Sequence, residues 1–357
     1  MSEENELMLR FATEFAAAEV EPVSLEIERG GIPAELLSKM SDRGYLGAVV
    51  PEAHGGAGLS ESSYLLLLET LARYSPSLSF YMYLQNSLFL RPLLDHASEP
   101  SVSETIRTVA SGKESGTVVL DCAISNGTKE SIVFSGKPPS VKGNARYVVN
   151  PAAEHFIVPA SEGAEELILL RGGTKTAGSN ARLGFRGIGF SRVEFTGSGN
   201  AVVLQPGGGR GRITEVLLNE SRGAAAIALG LAEGTTARAV QYSKTRTTFG
   251  SRLEQYQPVA FQLSSVLAEL EVMREYLYST VDAGPAAGLI SKIRLTDAAL
   301  RASTLSMQVH GGNGYFEAYQ IEKYYRDAMA LHALTGRRNA DLRELSGMLI
   351  GRGSAEI

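Results

Sequence analysis

Gln308 to Asp327 reads QVHGGNGYFEAYQIEKYYRD, a glycine-rich turn between two stretches of helical periodicity. Leu300, Thr304, Met307 and Gln308 fall on one helical stripe before the glycines, and Ile321, Tyr324, Tyr325 and Ala328 on another after them. The spacing predicts a helix-to-helix corner. A Schellman-type helix stop needs one glycine; this corner has Gly311, Gly312 and Gly314. Residues without a Cβ let the backbone take positive φ and approach a bulky ligand closely. The surplus favours a ligand at the corner over a plain turn.

Outward from the corner, the 357 residues exceed one typical core, so two or three substructures are expected. Hydrophobic residues at 44% and charged residues at 20% describe an ordinary soluble globular protein, and a net charge of -5 gives no electrostatic footprint for nucleic acid. Cys122 is the sole cysteine, so no intrachain disulfide is possible and a reducing cytoplasm fits. It lies in an apparent strand and reads as a small buried hydrophobe, not a nucleophile. The longest apolar run, near Ala224 to Ala232, is far short of a membrane span, and the acidic start MSEENE is not a signal peptide. His54, in the loop PEAHGGAG, has no cysteine, histidine or carboxylate pattern around it, and no metal site is expected.

Three textures follow one another. Residues 1–112 read as helical: Leu7, Phe11, Phe15 and Ala18 recur at helical spacing with Pro22 as a stop, Pro33 opens a further helix and Gly44 ends it. Residues 113–205 carry short β-like runs, GTVVLDCAI, SIVFSG, RYVV, HFIVPA, ELILLRGG and GIGFSRVEF, separated by glycine, proline and serine. Alternation slips by one residue before Val193, which predicts a bulge or bend near Arg192. PGGGRGR, at 206–212, reads as a flexible hinge into a C-terminal helical block, 206–357. That block holds one helix from Ile213 through Tyr242 and an amphipathic stripe of Val259, Leu263, Val266, Leu267, Leu270 and Met273. The expected fold is α+β: an N-terminal helical domain, a middle antiparallel β domain and a C-terminal helical bundle.

Four motifs in order then carry a resemblance: RTTFG with Arg246, Phe249 and Gly250, YQPVAFQL with Gln257, GGNGY, and YRDA. With GYLGAVVPEAHGGAGLS from Gly44 to Ser60, the chain resembles the acyl-CoA dehydrogenase-fold flavoproteins over nearly its full length. The resemblance implies FAD, extended between the β domain and the C-terminal helices of two subunits, and an acyl-CoA or similar thioester as substrate. It places Arg246 and Phe249 at the ADP portion of a neighbouring subunit's cofactor with Gln257 nearby, and Gln308, Gly311 and Gly312 on the opposite wall. Arg222 matches an arginine of the substrate-lining helix, while Arg326 and Asp327 read as a structural ion pair.

The departures concern the chemistry. Dehydrogenation needs a carboxylate to remove the acyl α-proton. Thr335, before Gly336, and Ser221, before Arg222, occupy the two positions where the family places its glutamate. A hydroxyl is a poor base near pH 7. Glu220 is adjacent, but a helix would turn it about 100° from the required face. In the middle domain DCAISNGTKES replaces the family's Thr-Glu-Pro and Gly-Ser-Asp segments, no tryptophan is present, and Tyr147 stands near the missing aromatic. Arg337, Arg338 and Asn339 stand where small polar residues are usual. The expected function is therefore that of an acyl-CoA dehydrogenase-like FAD flavoprotein whose base is missing or displaced, and which is a poor dehydrogenase by itself. Two alternatives stay open. One is a degenerate, non-catalytic subunit that completes the site of a complete family member in a hetero-oligomer. The other is a flavin-dependent oxygenase, which needs no α-proton base. Either homo- or hetero-oligomers would form through the C-terminal helices.

Overall fold

The computed structural model describes residues 3–120, 132–136, 139–162, 164–178, 181–205, 209–334 and 338–351. Cys122, the run DCAISNGTKES, residues 206–208, Thr335 and Arg337 lie outside them, and residues 209–212 of the expected hinge are helical.

The N-terminal part is helical: α1 (Glu3–Phe15) with a π-helical continuation (Ala16–Val20), α2 (Ser24–Gly30), α3 (Ala34–Asp42), α4 (Glu61–Tyr74) and α5 (Pro76–Tyr83). A second π-helical segment (Leu84–Leu90) leads into α6 (Arg91–Leu94), and α7 (Pro100–Ala110) follows. The signals act locally as expected. Pro33 precedes α3, Gly44 leaves it at φ 70°, and the Ser60 hydroxyl caps α4 by accepting from the Ser63 N–H. The predicted α1 stripe does not hold: Leu7 and Phe11 are 44% and 48% exposed, and the buried line is Ala12, Phe15, Ala16 and Val20. Small alanines let α1 approach α4 closely, and the Phe11 ring lies instead under the Arg10 guanidinium, 5.3 Å away.

Two four-stranded sheets form the middle. One runs in the order β1 (Gly116–Val118), β4 (His155–Glu162), β5 (Ala164–Arg171), β8 (Asn200–Gln205). The other runs β2 (Val133–Gly136), β3 (Pro139–Val149), β7 (Phe190–Thr196), β6 (Thr174–Ala177). All pairings are antiparallel except β1 with β4. Phe134, Val141, Val148, Phe156, Ile168 and Phe195 belong to the separate core of this region. The bulge is present: Ala145 pairs with Val193 and Val148 with Ser191, so Arg146 and Tyr147 both stand opposite Arg192. The extra residue is in β3, not in the strand that carries the slip. β6 and β8, short and polar at their ends, had no clear alternation to announce them.

The C-terminal part begins with α8 (Gly209–Asn219) and α9 (Ser221–Thr245). One helix was expected across this stretch. The structure breaks it at Glu220 (φ -87°, ψ 12°), whose carbonyl accepts from the Gly223 N–H and from the Tyr83 hydroxyl. A hairpin of β9 (Thr247–Thr248) and β10 (Ser251–Arg252) precedes α10 (Gln257–Ser279) and α11 (Pro285–His310). A 3-10 turn (Gly311–Tyr315), α12 (Ile321–Leu334) and α13 (Arg338–Leu349) complete the block. The predicted corner is there, yet the stripe before it is not the buried one: Thr304 and Gln308 are exposed, while Ala299, Ala302, Ser303, Ser306 and His310 are buried. Small residues on this face pack against α9, with which α11 makes its most extensive contact among the described residues. After the corner, Ile321, Tyr324 and Ala328 are buried in line with the spacing. In α10, Leu263 and Leu270 are buried, but Leu267 is half-exposed.

Candidate functional site

Because α10 runs back along α9 and α11 runs forward again, the end of α9, the start of α10 and the end of α11 meet. Tyr242 in α9 stacks on His310 in α11 with ring centroids 4.2 Å apart, and the Asn313 amide donates to the Tyr242 hydroxyl at 2.9 Å. Arg246, Phe249, Gln257, Gln308, Gly311 and Gly312 are thereby gathered at one end of the bundle, and all six are exposed.

The backbone there is unusual. Phe249 and Gly250 have φ 50° and 84°, and join paired Thr248 and Ser251 in a two-residue turn of type I′ sign. A bulky residue at positive φ is strained, and Phe249 is 96% exposed, so no burial within the chain repays it. Gly311 (φ 55°, ψ -136°) occupies backbone space that favours glycine. A Cβ on Gly311 or Gly312 would meet nothing within 4 Å, whereas one on Gly314 would sit 3.0 Å from the Met307 carbonyl. Two glycines therefore leave bare backbone to the outside, and the third serves the chain's own packing. The Arg246 side chain has no hydrogen-bond or ion-pair partner among the described residues.

Ser221 and Arg222 lie at the other end of α9, about 36 Å away at 1.5 Å per residue. The Ser221 hydroxyl is buried and donates to the Leu217 carbonyl at 3.1 Å. Arg222 donates to the carbonyls of Thr280, Ala283 and Gly284, tying down the α10–α11 loop. Glu220 is the carboxylate between α8 and α9. It is 5% exposed, and both its oxygens accept from Arg91 Nη1 at 3.0 Å. Arg91 Nη2 donates to Glu61 Oε2 at 2.8 Å. Burial raises the Glu220 pKa against the opposing pull of Arg91 and of a hydrogen bond from Ser87. The Tyr83 ring packs on Gly223, where a Cβ would come within 2.6 Å of it. Sequence reasoning missed Arg91, although one charge inside SLFLRPLL was a legible signal.

A third feature is an apolar pocket of about 290 Å³ between the β domain and α12, lined by Val149, Leu183, Phe185, Phe190, Met329 and Ala333 among others. Tyr147 stacks on Phe190 at its rim, centroids 6.0 Å apart. Arg326 and Asp327 are structural but do not pair with each other. Arg326 reaches Glu28 at 3.2 Å, Glu322 at 3.3 Å and the Leu183 carbonyl at 3.1 Å, while Asp327 accepts from the Phe185 N–H at 2.6 Å. Burial, with the charge of Glu28, pushes the Asp327 pKa well above the carboxylate range. The two side chains clasp the 183–185 loop from different directions because they leave α12 about 100° apart.

A model of the acyl-CoA dehydrogenase N-terminal domain matches residues 2–113, and one of the acyl-CoA dehydrogenase C-terminal domain matches residues 207–348. The chain belongs to the acyl-CoA dehydrogenase family. It is 27% identical to an acyl-CoA dehydrogenase of Bacillus subtilis (strain 168), over 98% of this chain and 99% of that one. It is also 27% identical to a 3-(aryl)acrylate reductase of Clostridium sporogenes (strain ATCC 15579), over 94% and 95%. Among solved structures, butyryl-CoA dehydrogenase from Megasphaera elsdenii superposes with a TM-score of 0.89 at 23% identity, covering 98% and 99% of the two chains. An acyl-CoA dehydrogenase complexed with FAD from Bacillus anthracis gives 0.91 at 18%, covering 98% of this chain and 67% of that one. At these identities the structural likenesses establish the shared fold. No helix among the described residues is long and apolar enough to cross a membrane.

Proposed function

We propose that the protein is a FAD-dependent oxidoreductase that interconverts saturated and α,β-unsaturated acyl-CoA thioesters, with Glu220 as its proton-transferring carboxylate. Glu220 carries this reading. At the break between α8 and α9 Glu220 is a buried carboxylate held by Arg91, next to Ser221 in the chain. Its pKa is raised toward the working range of a general base. Ser221 and Arg222 are committed to backbone carbonyls. The cluster reaches solvent through Arg91, whose side chain is 30% exposed.

The residues fit the cofactor. Arg246 offers a guanidinium unpartnered among the described residues for phosphate oxygens, Gly311 and Gly312 offer backbone with no side chain in the way, and Phe249 is held outward in a strained turn. With Gln257 and Gln308 they would hold the ADP half of a neighbouring subunit's FAD. The apolar pocket, at the lower end of the roughly 300–1,000 Å³ usual for small-molecule sites, would take the ring system. Bound FAD supplies the hydride acceptor. The motif residues are exposed in a single copy, and Tyr315 and Phe316 beside them are 80% and 58% exposed, so a second subunit is needed to enclose the ligand. The B. subtilis dehydrogenase and the C. sporogenes reductase bear names for opposite directions of reaction. The direction in this protein follows from its acceptor.

The test is the absorption spectrum of the purified oligomer, followed by anaerobic mixing with butyryl-CoA, octanoyl-CoA and 3-phenylpropanoyl-CoA. Bound flavin that bleaches with one of them is expected. A protein that takes up no FAD would be assigned the degenerate-subunit role, and flavin left oxidised by the whole panel would overturn the dehydrogenase reading.

A further inference from the structure

Glu220 does not stand alone in its buried position. Arg91, at the end of the π-helical segment, spends one guanidinium nitrogen on both oxygens of Glu220 at 3.0 Å and another on Glu61 of α4 at 2.8 Å. Its planar group also lies 5.7 Å over the Tyr64 ring, so the fork has little freedom to turn. Tyr64 in turn hydrogen-bonds Ser87 at 2.9 Å, and Ser87 reaches Glu220. One cation is thus shared by two carboxylates, one buried (6% side-chain exposure) and one a third exposed (32%).

Resting on the assignment of Glu220 as the base, we propose that Arg91 is its positioning residue: the guanidinium holds Glu220 as an oriented carboxylate and stays paired with Glu61 when Glu220 takes up the substrate proton. In that step the acyl α C–H bond breaks, the proton forms an O–H bond on Glu220, and the electron pair stays on the thioester as its enolate. Neutral Glu220 no longer attracts Arg91. Without a second carboxylate the guanidinium would be left partly buried and unpaired, which is costly; Glu61 meets that need within reach of the same fork.

The other groups that face Glu220 do not substitute for this pair. Tyr64 and Tyr83 are buried phenols whose burial holds them neutral. Asp341 of α13, whose charge is felt at Tyr83, is already paired with Lys292 at 2.7 Å. Burial works against the Arg91 charge, but Glu220 and Glu61 outweigh it and keep the guanidinium protonated.

Isotope-edited infrared spectroscopy of the FAD-loaded protein, with Glu220→Gln subtracted, reads the titration of Glu220 directly and needs no substrate. Arg91→Met should move it upward by about 1–3 pH units, as expected for losing an opposite charge within a few ångströms. Arg91→Lys should restore part of that, and Glu61→Gln should move it downward, because Arg91 then serves Glu220 alone. Opposite movements are the signature. Should Arg91→Met fail to fold, the lysine and Glu61→Gln variants still decide the matter. A Glu220 titration that ignores both Arg91→Lys and Glu61→Gln would overturn the role of Arg91. The base assignment is read separately, from exchange of the butyryl-CoA α-hydrogens with D2O. Exchange that persists in Glu220→Gln would sink the base and leave the infrared result to judge Arg91 alone.

Discussion

Arg246→Ala is the substitution whose consequence the structure isolates best. The side chain is exposed and has no partner among the described residues, so truncation should change the stability of the apoprotein by no more than about 0.5 kcal/mol. If the guanidinium meets the phosphates of FAD in the assembled protein, its removal costs a charge-assisted hydrogen bond of about 1.5–3 kcal/mol. At 1.4 kcal/mol per decade this is a roughly 10- to 150-fold weaker Kd. The assay is titration of apoprotein with FAD by flavin fluorescence, beside thermal unfolding with and without FAD. The apoprotein melts should coincide, and the gain in Tm on adding FAD should shrink in the variant. An unchanged Kd, with both apoproteins folded, would refute the assignment and return Arg246 to the hairpin as a structural residue.

Three other outcomes follow from the packing. In Gly230→Ala the new Cβ would fall 2.0 Å from the Glu69 carbonyl and 2.9 Å from the Ala72 Cβ, so α9 and α4 must separate. Urea unfolding should show a loss of about 1–3 kcal/mol; an unshifted midpoint would mean the helices slide freely. Phe249→Gly should leave the apoprotein as stable or more so, since strain of about 1–3 kcal/mol at positive φ is released, yet reduce FAD retention; equal retention would remove Phe249 from the site. Burial lowers the His155 pKa below its ordinary 6.5, though Glu114 at 2.6 Å opposes this. As pH falls below 6.5 the unfolded chain binds a proton that the native ring refuses, so the contribution of His155 to stability is lost from there down through the folded pKa. The stability advantage of the wild type over His155→Gln should therefore shrink between about pH 7 and 5, and an advantage that grows would reverse the sign of the account.

Much of the fold was legible because local signals and burial agreed. Pro33, Gly44 and Ser60 mark helix ends through their own backbone chemistry, and the alternation slip before Val193 located a real bulge. What misled was the assumption that large apolar residues mark the buried face. In α1 and α11 the tightest contacts use Ala12, Ala16, Ala302, Ser303 and Ser306, because close helix approach selects small side chains. Arg246, Phe249, Gln257, Gln308, Gly311 and Gly312 converge in space as their order in the chain suggested. A continuous helical pattern across Glu220 hides its place in the fold, and the break coincides with a tertiary bond from Tyr83, more than 100 residues away in sequence. Arg91 joined the site for the same reason: its partners come from α4 and from the α8–α9 break, and neither is near it in the chain.

The most direct test is the single-turnover bleaching of bound flavin by whichever acyl-CoA reduces the wild type, repeated under the same anaerobic conditions in Glu220→Gln. Loss of a general base should slow the step by about 10²–10⁴-fold, with flavin content close to wild type; the unfolding temperature should fall, because the amide no longer pairs the Arg91 charge. Bleaching at the wild-type rate in Glu220→Gln would contradict the account.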